Sequence, residues 1–118
     1  AVQSIADQNG GAAVAVDTNA IVFLLVGTTF ATTDLVEDAL ETGDYELDTL
    51  HADNTSGDTF FVIWSDGTDA FIGSARIVTN VGTDFATGDL SVSKMVKLVG
   101  NAAITTGEFH LDNFDVIA

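Results

Sequence analysis

The sequence predicts a mainly β protein, an antiparallel β-sandwich or jelly roll with one short helix at about residues 34–42. Three observations predict it. Two unbroken apolar runs, AIVFLLV at 20–26 and FFVIW at 60–64, are rich in branched and aromatic side chains, as buried strands are. Turn signals recur roughly every ten residues, the spacing of short antiparallel strands. Hydrophobic residues make up 47% of the 118, enough for the core of one domain.

The elements follow in order. Residues 1–17 carry small, weakly patterned side chains with a break at Gln8-Asn9-Gly10-Gly11, and read as an N-terminal arm before a single domain over 18–118. Extended, such an arm reaches ~55 Å. That makes Ala12, Val14 and Val16 candidates for a donor strand, with Ile21, Phe23 and Leu25 as further assembly residues; the alternative is that the arm packs on its own domain. The run 20–26 has the length of a strand buried on both faces. Asp34 with Glu37 three residues on has the spacing of a capping box, Leu35, Val36, Ala39 and Leu40 form an apolar face, and Gly43 sits where a left-handed stop is wanted.

Residues 44–50 alternate, with Tyr45 and Leu47 expected inward and Asp44, Glu46 and Asp48 outward. Asp66-Gly67 between the runs 60–64 and 70–78 signals a hairpin. Residues 80–88 read as loop and 90–99 as a strand, although Val92, Met95, Val96 and Val99 also have helical spacing. Short segments at 103–105 and 109–117 close the chain as strands or turns.

Charge narrows the classes. Eighteen acidic residues face three basic ones, Arg76, Lys94 and Lys97, for a net charge of −15. Three cations are too few to track nucleic-acid phosphates or to hold an anionic lipid surface. No apolar run approaches the ~20 residues of a membrane helix. The absence of Cys excludes disulfides, thiolate zinc sites and cysteine nucleophiles. A mean hydropathy of +0.34 separates the chain from disordered acidic tails. The absence of Pro is unusual for a β fold, because Pro often guards exposed edges; here charge does so, or the edges pair. Ala1-Val2-Gln3 fits both a mature exported N-terminus and a domain excised from a longer chain.

Three acidic clusters supply hard oxygen ligands: Asp53 with Asp58, Asp66 with Asp69, and Asp112 with Asp115. These six are the candidates for Ca²⁺, beside the simpler reading that Asp, Asn and Gly form turns. His51 and His110 give no reason to converge, and no G-x-S-x-G elbow is present, so no catalytic residue is expected. Asn54-Thr55-Ser56 is an N-glycosylation sequon, which makes glycans candidate partners.

Residues 57–71 (GDTFFVIWSDGTDAF), with 93–101 (SKMVKLVGN) and 105–109 (TTGEF), resemble the sandwich modules of large secreted bacterial proteins, the RTX-type adhesins and surface-layer proteins. The resemblance implies an exported structural or adhesive module, stabilised by calcium, with no catalytic residue. Together these readings lead to the expectation of a non-catalytic extracellular or cell-surface subunit whose partner is a copy of itself, joined into a filament, pilus-like fibre or surface layer by strand exchange. The alternative is a monomeric calcium- or carbohydrate-binding adhesin module.

Overall fold

A computed structural model of the chain describes residues 2–6, 8, 21–47, 57–79 and 85–100. They form a mainly β fold: strands β1 (Val2–Ala6), β2 (Val22–Val26), β3 (Thr59–Ser65), β4 (Ala70–Ile77) and β5 (Leu90–Leu98), with one helix, α1 (Thr33–Glu41), between β2 and β3. The strands lie in the sheet in sequence order. β1 and β2 run parallel to their successors, whereas β3, β4 and β5 are an antiparallel meander. The sheet is therefore mixed, which corrects the expectation of an all-antiparallel fold. The reason is α1: parallel neighbours need a long crossover, and the helix supplies it between β2 and β3.

The run 20–26 keeps its predicted character, since Val22, Phe23, Leu24 and Leu25 are all buried and so β2 is covered on both faces. On one face Phe23, Leu25, Phe60, Val62, Trp64, Phe71 and Ala75 meet Val36, Ala39 and Leu40 of the helix in the main core. On the other, Val22, Leu24, Ile63 and Ala70 form a second buried cluster, with Val26, Phe61, Ile72 and Leu98 packed against it.

The first residues of the chain form a strand of the sheet. Val2–Ala6 pairs residue for residue with Val22–Val26 of the same chain, and Ile5 is buried in the main core. Gln8 N donates to Asp44 O at 2.9 Å, which fastens the exit of β1 to the turn after the helix. Ala12, Val14 and Val16 lie outside the described residues.

Helix α1 starts one residue before the predicted position. Its cap is Thr32, not Asp34: the Thr32 hydroxyl accepts from Leu35 N, and Asp34 falls in the first turn, where its charge complements the helix dipole. Gly43 does not adopt a left-handed conformation. It is needed for space, because a Cβ there would stand 2.8 Å from Ala39 Cα. The chain folds back along the helix, with Tyr45 N donating to Ala39 O and Leu47 N to Leu40 O. The alternating strand expected from residue 44 is thus a turn followed by one bridging residue, Leu47, while residues 48–50 lie outside the described residues. Tyr45 and Leu47 are nevertheless buried as predicted, and the Tyr45 hydroxyl donates to Val26 O at 2.6 Å, tying the crossover to the end of β2. Among the described residues no helix is long and apolar enough to cross a membrane.

Candidate functional site

Strand β5 is an outermost strand of the described sheet, and its two halves are finished differently. In the first half, α1 closes the edge. Leu90 N donates to Glu41 Oε2 at 2.9 Å and Val92 N to Glu37 Oε1 at 2.7 Å. The spacings of helix and strand match here, since four residues of helix rise ~6 Å, close to the ~6.6 Å between alternate residues of a strand. Glu37 and Glu41 therefore meet successive outward N–H groups of the strand. Burial pushes the Glu41 carboxyl above the ordinary glutamate range, against the N–H groups of Leu90, Gly88 and Asp89 that hold it down.

This arrangement predicts a pH-dependent cost. A raised folded-state value means that the contribution of Glu41 is most favourable below the ordinary glutamate pKa and is lost as pH rises through the raised one. Glu41→Gln keeps an acceptor for Leu90 N–H without the charge. It is expected to melt no lower than the parent at pH 7, with any advantage fading on acidification. Glu41→Ala strands that N–H and is expected to fall about 1–2 kcal/mol below the Gln variant. Thermal melts of both variants at pH 4 and pH 7 check the order.

The second half of β5 carries two of the three cations of the chain, Lys94 and Lys97. The ladder slips between Ile72 and Gly73, so that Gly73 pairs with Lys94 and Ile72 with Val96, and Met95 is the extra residue of a bulge. Lys94 Nζ lies 4.2 Å from the centre of the Phe71 ring. Lys97 Nζ lies 3.3 Å from Asp69 Oδ2. Asp66, Phe71, Lys94, Met95, Val96 and Lys97 line one open groove. Around it Met95 is 58% exposed, Val96 45% and Val99 82%. Apolar side chains thus stand in water beside cations on a strand edge, within a strongly anionic chain.

The calcium candidates fare unequally. Asp66 and Asp69 share the β3–β4 turn. Asp66 Oδ1 accepts from Thr68 N at 2.9 Å and Asp69 N at 2.8 Å, and the N–H groups of Asp69 and Thr68 hold its carboxyl below the usual aspartate range. Asp69 Oδ1 accepts from Gly100 N at 2.7 Å, while its other oxygen faces Lys97. Those contacts are what a turn requires, and they set an ammonium beside the pair. Asp58 precedes β3 and its backbone carbonyl accepts from Ile77 N. Asp53, Asp112, Asp115, His51, His110 and the sequon at Asn54 lie outside the described residues. Among the described residues, no three acidic, His or Cys side chains converge as a metal site would require.

Of the candidate assembly residues, Phe23 and Leu25 are fully buried in the main core, and Ile21, just before β2, is exposed. Sequence reasoning passed over Glu37, Glu41, Lys94 and Lys97 as edge residues. A signal was there: a helix with acids four apart, and two of three cations within four positions of one strand. The chain matches no protein-family model, no curated protein and no solved structure.

Proposed function

We propose that the chain is a non-catalytic, extracellular structural subunit that assembles with copies of itself into a filament, fibre or layer. The observation that carries this reading is the edge of β5, which among the described residues is half open. The helix closes it at Leu90 and Val92 and leaves Met95, Val96 and Val99 exposed beyond. An unpaired edge is a template for association; the bulge at Met95 and the lysines at 94 and 97 guard this one against another strand and leave it to a surface of a different kind. The resemblance of residues 57–71 to modules of secreted adhesins and surface-layer proteins supports the extracellular setting. Burial of Val22, Leu24, Ile63 and Ala70 on the face away from α1 supports a second layer there, as in a sandwich.

Strand exchange takes a specific form in this reading. Because Val2–Ala6 already lies beside its own β2, exchange means a swap in which the same register forms with the β2 of a neighbour. The β5 edge needs no such rearrangement.

Sedimentation and electron microscopy of the purified chain test the proposal. Species that grow with concentration into elongated or sheet-like particles are expected. A single 12.3 kDa particle at every concentration would end it.

A further inference from the structure

We propose that the open half of β5 on one copy receives the solvent-facing side of α1 from the next, with Asp34 and Asp38 meeting Lys94 and Lys97. This rests on the reading of the chain as a self-assembling subunit, and names the two surfaces that meet.

The contact has a template within the chain. Two carboxylates four residues apart on α1, Glu37 and Glu41, already close the first half of β5 by accepting its outward N–H groups. Asp34 and Asp38 repeat that spacing one ridge further round the same helix, and both are exposed. By the alternation of an antiparallel ladder, the N–H of Lys94 follows those of Leu90 and Val92 on the outward side. The N–H of Lys94 thus extends the row by one before the bulge at Met95 interrupts it, and a carboxylate of a second helix can accept from it.

Charge and apolar surface agree with this pairing. In a chain of net charge −15, the part of β5 from Lys94 to Lys97 concentrates cations, and α1 is acidic along its exposed side. Leu35, beside Asp34, is 48% exposed and supplies an apolar partner for Met95 and Val96. Two β5 edges brought together would place lysines against lysines, so the edge rejects its own kind and accepts the helix. A contact between two different surfaces of one chain is heterologous. Unless its rotation closes a ring, it propagates.

Charge reversal tests it, with circular dichroism confirming that each variant is folded. Lys94→Glu and, separately, Asp38→Lys are each expected to raise the concentration needed for assembly about tenfold, because each sets like charges face to face. An equimolar mixture of the two is expected to assemble again, since each mutated surface then finds its complement on the other variant. The double variant Lys94→Glu/Asp38→Lys is expected to assemble alone. Lys94 rests on Phe71, so the Asp38→Lys arm stands independently should the edge variant fold poorly. If the parent chain assembles but reversal at Asp38 leaves it unaffected, or mixing gives no rescue, α1 is not the occupant and this inference fails while the structural reading stands. If the parent chain never assembles, both fail together.

Discussion

Replacing Phe23 with alanine is expected to lower the unfolding free energy by about 4 kcal/mol. The ring is fully buried on β2, edge-on to Phe60 of β3 with centroids 5.4 Å apart. It belongs to the cluster that joins β1 through Ile5, the helix through Val36 and Leu40, and the meander through Val62 and Ala75. Truncation leaves a cavity where strand and helix meet, and neither can close in without dragging the crossover. Denaturant titration should show a lower midpoint with an unchanged slope. The loss should be the same in dilute and concentrated protein, because the chain buries this ring by itself. A loss seen only where copies associate would move Phe23 from the core to an interface.

Gly73→Ala is expected to cost about 3 kcal/mol by overpacking. Backbone conformation is not the problem, since Gly73 does not have a positive φ. Space is the problem. A Cβ at this position would stand 2.6 Å from Ser93 O on β5 and 2.7 Å from Trp64 Cζ3 on β3. Ser93 O belongs to the neighbouring strand and cannot swing aside. Trp64 is fully buried and stacked on Phe71 at 5.6 Å, so retreat would disturb a second ring. Because Trp64 is the only tryptophan, its near-ultraviolet signal reports on this spot alone. An alanine variant with the parent melting temperature and an unaltered signal would mean that the indole does not lie over Gly73.

Much of this fold was legible because burial is written in local composition. The runs AIVFLLV and FFVIW announced strands, and the helix announced itself by the spacing of Val36, Ala39 and Leu40. Strand direction was harder to read. A strand buried on both faces followed at once by a helix is the pattern of a parallel crossover, and here it outweighed the regular spacing of turns. β1 left almost no trace. In VQSIA polar and small residues surround Ile5, which reaches the core, and long-range pairing with β2 does the rest. The candidate site was the least legible part. What closes an edge is a helix distant in sequence, so Glu37 and Glu41 look like ordinary surface acids until the fold brings Val92 and Leu90 to them.

The bulge in β5 misleads a reader of periodicity and has its own consequence. Leu90, Val92, Val96 and Leu98 all carry even numbers, so strict alternation would put them on one side. The slip at Met95 divides them: Leu90 and Val92 pack into the main core, while Leu98 packs with the second cluster. The strand holds one more residue than its ladder pairs. Excision of that residue would leave Lys94 opposite Gly73 and Val96 opposite Ile72, so both sides of the sheet would keep their present occupants. The chain can therefore shorten by one residue at this point without repacking. Met95 is thus a residue that β5 can lose while its inward side chains stay on their present sides, the outer ribbon then coiling less sharply.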